Sequence, residues 1–199
     1  FLVAKAYPQA ASVIERLGTD LLRKGRKSDV ASWIYALPAE WAQKNPWLLF
    51  YLTMTRQFMG GEENVISFEK AYRLFKENGE TKGELICLAE LIATIIQTGI
   101  HLFPIHRLIQ IAESLLASPD RDGYQYERAT LWNAIGHAYL LVEGDIRKGI
   151  QACENAYLIS RQIHDIPLQV YALVSSTVGY ICVGEFSRAE EACRKIDAL

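Results

Sequence analysis

The chain has 199 residues, half of them hydrophobic, which is enough to bury one sizeable core or a row of smaller ones. Its 21 Lys and Arg residues against 23 Asp and Glu residues leave a net charge of -2, so the sequence predicts no basic face for direct contact with nucleic acid. The four cysteines form no Cys-x-x-Cys pair, a pattern typical of free thiols in the reducing cytoplasm.

The longest apolar run, residues 85–103, has the length of a membrane span but carries Glu90, Gln97 and His101. A charge near the middle of a span is costly, so the run predicts a buried helix of a protein with no membrane contact. The N-terminus has no signal-peptide pattern. Because the chain starts at Phe1 and stops at Leu199 inside a helical pattern, we expect it to be a fragment of a longer protein.

Apolar residues recur at three- and four-residue intervals almost throughout, with Pro and Gly at the expected boundaries and no alternating run bounded by turns. This pattern predicts an all-α protein whose short connections favour antiparallel neighbours. The predicted helices cover residues 9–24, 28–36, 46–59, 63–78, 82–100, 104–117, 124–142, 146–163, 167–183 and 186–198.

A repeat signature lies within residues 132–157. Four residues match the Trp-x2-Leu-Gly-x2-Tyr spacing of a tetratricopeptide-type first helix, with Ile in place of Leu: Trp132, Ile135, Gly136 and Tyr139. The small Gly136 predicts close approach of a second helix, and Gly144 predicts the end of the first. The turn between the two helices, residues 141–145, is one residue longer than in the usual tetratricopeptide repeat.

This repeat pattern recurs 40 residues later, where Gly184 matches Gly144 and Cys193 matches Cys153. A more degenerate copy of the same turn occurs earlier, at Gly60. This predicts four degenerate helix pairs within 47–199, over residues 47–78, 82–117, 125–163 and 167–198, with leading helices in 1–46. We therefore predict one domain over residues 1–199, a right-handed α-α superhelix of TPR-like antiparallel helix pairs.

Patterns for catalysis and metal binding do not occur in the sequence. It contains no Gly-rich phosphate loop, nucleophile elbow or paired-carboxylate arrangement, so we expect neither an enzyme nor a bound cofactor in this chain. His101 and His106 flank Pro104, which does not place both rings on one helix face, and we expect no metal site.

Residues 32–50 carry a pattern that the repeat does not explain. A Trp-Ile-x-x-Leu-Pro helix end and a short amphipathic link lead to Asn-Pro-Trp-Leu at the start of the next helix, through Trp33, Ile34, Leu37, Pro38, Pro46 and Leu48. This resembles the start of the helical-repeat domain of LuxR-type large ATP-binding transcriptional regulators, the family of the maltose-regulon activator. The resemblance implies a domain that senses an effector or partner, with ATP bound by a separate module and DNA read by a helix-turn-helix elsewhere in the full protein.

Candidate ligand-binding residues follow from the repeat. The first helix of each pair would line the concave groove, with an exposed stripe one residue after the Trp position and four residues beyond it. In the third pair this selects Asn133 and His137, and in the fourth pair Tyr171 and Val178 flank the same stripe. The first pair contributes Tyr51 and Thr55, and the second contributes Glu90. Their donors, acceptors and aromatic faces suit a small-molecule effector or a protein partner, besides other domains of the same chain. Two alternatives stay open: ordinary solvated groove residues, and a generic TPR-type protein–protein interaction scaffold.

Overall fold

The computed structural model describes residues 6–56, 61–99, 104–118 and 123–199. Within these ranges the protein has eleven α-helices and no strand, which confirms the all-α prediction. The helices are α1 (Tyr7–Arg23), α2 (Lys27–Tyr35), α3 (Ala39–Lys44), α4 (Pro46–Thr55), α5 (Gly61–Glu77), α6 (Thr81–Thr98), α7 (Ile105–Leu116), α8 (Gln125–Ala138), α9 (Ile146–Gln162), α10 (Ile166–Cys182) and α11 (Phe186–Asp197).

Each predicted helix has a counterpart, and the one addition is α3. The sequence predicts a link at these residues, because six residues are too few to show a helical period. Pro38 stands at the N-cap of α3, and Asn45 ends it and caps α4 by accepting a hydrogen bond from the Leu48 backbone N–H at 3.1 Å. His101 and Gly60 lie outside the described residues.

The chain divides into two compact units, Phe1–Cys87 and Leu88–Leu199, with the division inside α6. Most of α6 is buried, as predicted for the apolar run. Among the described residues, no helix combines the length and the apolar character that a membrane span needs. The single continuous repeat over residues 1–199 stays a prediction.

Aromatic side chains interlock in the core of the first unit, where α4 packs against α1, α2, α3 and α5. The Trp47 ring meets the Phe75 ring edge-on at 4.8 Å and stacks on Tyr51 at 5.4 Å. The Phe50 ring lies 5.8 Å from Phe68. Such large apolar side chains dominate the free energy of burial, so this core is held chiefly by ring packing.

Small residues set the packing of the second unit, where α8 packs on α9, α9 on α10 and α10 on α11. A Cβ atom added to Gly136 of α8 would lie 2.6 Å from Cys153 Sγ and 3.3 Å from the Gly149 carbonyl oxygen of α9. A Cβ atom added to Gly179 of α10 would lie 2.5 Å from the Ile150 side chain. The predicted close approach of a second helix at Gly136 is therefore confirmed.

The connection from α8 to α9 contains a π-helical turn, Tyr139–Glu143, followed by Gly144 in the left-handed conformation at φ 73°. A π turn accommodates one residue more than an α turn, and such turns occur frequently at functional sites. The extra residue predicted within 141–145 is accommodated by this wider turn at the end of the helix. Gly144 ends that helix as predicted.

Candidate functional site

His137 of α8 is held by two side chains of α10. Its Nδ1 atom lies 2.8 Å from the Tyr171 hydroxyl and its Nε2 atom 2.5 Å from Ser175 Oγ. The imidazole also meets the Tyr171 ring edge-on, with the ring centroids 4.7 Å apart. His137, Tyr171 and Ser175 are called the polar cluster below. Two of its three members were predicted as site residues, and the structure brings them into direct contact.

The direction of each hydrogen bond in the polar cluster follows from Ser175. Its hydroxyl donates to the Tyr171 carbonyl oxygen at 2.8 Å, so Ser175 Oγ has no second proton to give His137. His137 therefore donates through Nε2–H to Ser175 and accepts at Nδ1 from the Tyr171 hydroxyl. This is the reverse of a Ser–His nucleophile pair, in which the imidazole nitrogen facing the serine must be unprotonated to act as a base.

The cluster side chains are held in their uncharged forms. Burial lowers the pKa of His137, which favours the neutral imidazole. Burial raises the pKa of Tyr171, and the negative charge of Glu90 raises it further. Cys153, fully buried behind the cluster on α9, has its pKa raised to about 12, chiefly by burial. The arrangement suits hydrogen bonding to neutral groups more than pairing with an ion.

Asn133 lies one helical turn before His137 on α8. The prediction that its side chain is exposed is wrong. The side chain is 2 % exposed, and neither Nδ2 nor Oδ1 has a hydrogen-bond partner among the described residues. A buried amide left in this state costs about 1–3 kcal/mol of stability. Unsatisfied groups of this kind are few in folded proteins, so this one calls for a functional or structural reason.

The other predicted site residues lie in different environments. Glu90, on α6, is partly buried and close enough to Tyr171 to affect its pKa. Val178 is 46 % exposed, as expected for a surface stripe. Thr55 is partly buried and donates to the Leu52 carbonyl oxygen at 2.7 Å. Tyr51 is 1 % exposed in the core of the first unit, so its expected exposure is wrong.

Ser175 and Val174 on α10 were not among the predicted site residues. Ser175 follows Tyr171 by one helical turn, so the i, i+4 spacing could have indicated a shared face. Val174, which is 48 % exposed, lies between Tyr171 and Val178 on the same side of the helix. Neither is marked by the tetratricopeptide signature, because α10 retains little of that signature beyond Tyr180.

Two surface concavities also occur. One, of about 450 Å³, lies at α3 in the first unit and is lined by Glu40, Trp41, Lys44, Asn45, Pro46 and Asn78. The other, of about 140 Å³, lies among α9, α10 and α11 in the second unit and is bordered by ion pairs of Arg188 with Glu154 and of Lys195 with Glu191. Both contain polar side chains that are already paired with neighbours. The polar cluster, beside an unsatisfied amide, is therefore the stronger candidate.

Among the described residues, no group of three or more His, Cys, Asp or Glu side chains is placed to hold a metal ion. Comparison of the sequence with protein-family models finds no match, and comparison with curated proteins finds none either.

Proposed function

We propose that the chain is a sensing domain of a bacterial transcriptional regulator, folded as a right-handed TPR-like superhelix that binds a small polar effector in its concave groove. Occupancy of the groove would shift an equilibrium of the regulator by favouring one of its states, and so control an attached ATP-binding switch and DNA-binding domain. The resemblance of residues 32–50 to LuxR-type regulators supports the class. The close approach of α8 and α9 at Gly136 supports the type of repeat.

The observation that carries the binding proposal is the buried Asn133 amide beside the polar cluster. A leucine of similar size at this position would remove the cost of two unsatisfied polar atoms. A residue that lowers stability in this way is typical of a binding site, where a ligand supplies the missing partners. Asn133 and His137 are one turn apart on the same helix, so a single small molecule would contact both once the packing around the buried amide opens.

The chemistry of the cluster favours a neutral ligand rich in hydroxyl or amide groups. The Asn133 amide offers both hydrogen-bond donors and an acceptor. The neighbouring His137, Tyr171 and Cys153 side chains carry no charge near neutral pH. An anion would find no cation among these side chains, and Glu90 would repel it. The effector therefore belongs with polyols, amides or nucleosides rather than with phosphates or carboxylic acids.

The test uses Asn133→Leu in the regulator that contains this domain. We expect the melting temperature of the free protein to rise, because an unsatisfied amide is removed, while the response to effector is lost. A thermal-shift screen of neutral sugars, nucleosides and amino-acid amides would use the wild type and Asn133→Leu in parallel. A compound that stabilises both proteins equally binds elsewhere and contradicts the proposal. Tyr171→Phe, which removes only the hydroxyl, is the matched variant for the cluster.

A second candidate function is a TPR-type scaffold that binds a protein partner without a small ligand. The observation that favours it is the apolar, half-exposed surface of α10, which suits a peptide better than a polyol. The two functions differ in which variants matter. A scaffold would lose its partner on substitution of Val174 or Val178 and keep it on Asn133→Leu.

A further inference from the structure

The hydroxyl of Thr94, on α6, is buried without a hydrogen-bond partner. The side chain is 0 % exposed, and Oγ1 makes no hydrogen bond to any described residue. In the unit Leu88–Leu199, Thr94 and Asn133 are the two described residues whose side chains bury polar atoms in this state. Nearly all buried polar groups of folded proteins are paired, so the Thr94 hydroxyl calls for a reason of its own.

A threonine within a helix can satisfy its hydroxyl at the carbonyl oxygen one turn earlier. Thr53 of α4 is buried to the same degree and donates to the Leu49 carbonyl oxygen at 2.8 Å. Thr98, one turn after Thr94 on α6, donates to the Thr94 carbonyl oxygen at 2.7 Å. Thr94 itself makes no such bond to the Glu90 carbonyl oxygen. Its hydroxyl is therefore turned away from the helix backbone and is free to bind a partner outside α6.

Thr94 and Asn133 are each one helical turn from a residue that acts on the polar cluster. On α6, Glu90 lies one turn before Thr94 and is close enough to Tyr171 to raise its pKa. On α8, His137 lies one turn after Asn133 and accepts a hydrogen bond from the Tyr171 hydroxyl at 2.8 Å. Residues four apart share a helix face. The two unpaired groups therefore lie on helix faces turned towards the same tyrosine.

We propose that Thr94 is a second ligand contact of the effector site and that the ligand carries an amide edge, which is a carbonyl oxygen beside an N–H group. Asn133 lacks partners at both Nδ2 and Oδ1, and an amide edge satisfies these two atoms together. The Thr94 hydroxyl then donates to a further oxygen or nitrogen of the same ligand. This inference rests on the proposed function and narrows its ligand class to amides and nucleobases. Because both groups are buried, the ligand enters only when the packing around them opens.

The first test needs no ligand and compares two substitutions that keep the size of the side chain. Thr94→Val removes an unpaired hydroxyl, so we expect the melting temperature of the free protein to rise by about 2–4 °C. Thr53→Val is the matched control, because it removes a hydroxyl that is equally buried but hydrogen-bonded, and it should lower the melting temperature by a similar amount. A Thr94→Val protein that melts at or below the wild-type temperature would show that the hydroxyl is paired in solution and would overturn the inference.

The second test measures the binding of two probes by calorimetry. 1-Methyluracil has an N–H group between two carbonyl oxygens, and 1,3-dimethyluracil lacks that N–H group. We expect the wild type to bind 1-methyluracil at least about fivefold more tightly than 1,3-dimethyluracil, and Thr94→Val to weaken the binding of 1-methyluracil by about two- to tenfold. Thr94→Ser, which keeps the hydroxyl, and Thr53→Val should both bind 1-methyluracil like the wild type.

The outcomes separate this inference from the proposed function. Equal binding of the two probes, or no binding of 1-methyluracil, would overturn the amide edge. Wild-type affinity in Thr94→Val would remove Thr94 from the site, and the proposed function would stand if Asn133→Leu still abolishes binding. Binding that neither substitution alters would contradict both. Circular dichroism verifies that each variant is folded, and Thr94→Ala replaces Thr94→Val if that protein is unfolded.

Discussion

Tyr51 in the first unit and Tyr171 in the second are surrounded very differently. The Tyr51 hydroxyl donates to the Glu15 carbonyl oxygen at 3.0 Å and accepts from Thr19 Oγ1 at 3.0 Å, and its ring lies against Gly18. Tyr171 is 45 % exposed, and its hydroxyl donates to His137. The first tyrosine is therefore part of a sealed core. The second belongs to the polar cluster and also contributes to the exposed apolar side of α10.

The difference shows how two helical packings lead to different sites. In the first unit, large rings fill the space between helices, and the tyrosine hydroxyl finds its partners within the protein. In the second unit, Gly136 and Gly149 bring two helix backbones together, and the polar side chains of α8 and α10 meet each other instead. Large core side chains leave little room for a ligand. Small ones leave side chains at the neighbouring positions available for binding.

The sharpest test of this comparison replaces each tyrosine by alanine. Tyr51→Ala should destabilise the protein by about 3–5 kcal/mol, because it opens a cavity among packed rings. Tyr171→Ala should cost less than about 1 kcal/mol, since nearly half of that side chain is already in water. The free energy of unfolding from denaturant titration measures both. Similar losses for the two variants would contradict the distinction between a sealed core and a surface cluster.

Gly136→Leu tests the close packing of the second unit. We expect a loss of about 1–3 kcal/mol from overpacking, because a Cβ atom alone would lie 2.6 Å from Cys153 Sγ. Thermal or denaturant unfolding measures the loss. Adding Cys153→Ala to the milder Gly136→Ala removes the nearest atom and should recover part of the stability in a double-mutant cycle. Simple additivity of the two changes would mean that the two helices do not meet here.

Gly144→Ala isolates backbone conformation from packing. Gly144 has a φ of 73° and open space where a Cβ atom would be, so only conformational strain opposes the change. We expect a loss of about 1–2 kcal/mol, the cost of a left-handed residue with a side chain. Gly123→Ala is the control, because Gly123 also has open space but no positive φ. Equal stability of the two variants would contradict a strained turn at Gly144.

The sequence predicted the helices well and the site only in part. Helix positions follow from apolar spacing and from Gly and Pro at boundaries, which are local properties of the chain. The exposure of a side chain depends on how neighbouring helices approach, so Tyr51 and Asn133 were both expected at the surface and both are buried. His137 and Tyr171 were both selected from the predicted repeat, and the structure places their side chains in contact. Ser175 completes the cluster through geometry between helices that no signature records.

The smallest expected effect is a pH dependence that separates the polar cluster from the sealed core. Burial lowers the pKa of His137 below its ordinary value of about 6.5, so the folded protein holds fewer protons than the unfolded chain in the window between those two pKa values. Stability therefore rises with pH through that window and is complete above about 6.5. On acidification, protonated Nδ1 no longer accepts from the Tyr171 hydroxyl, and the contact is lost.

Melting temperatures at a series of pH values from about 7.5 down to about 5 measure this effect. Carboxylates titrate near the lower limit in every variant, so the informative quantity is the difference between wild type and His137→Gln. Glutamine keeps a donor for Ser175 but does not titrate, and the variant should lose less stability on acidification than the wild type. Tyr51 in the first unit does not contribute to this difference. Its pKa is raised to about 12, so its hydroxyl stays protonated over this whole pH range. Parallel pH curves for wild type and His137→Gln would mean that the imidazole is as well hydrated as in the unfolded chain, and the hydrogen-bonded cluster would not exist in solution.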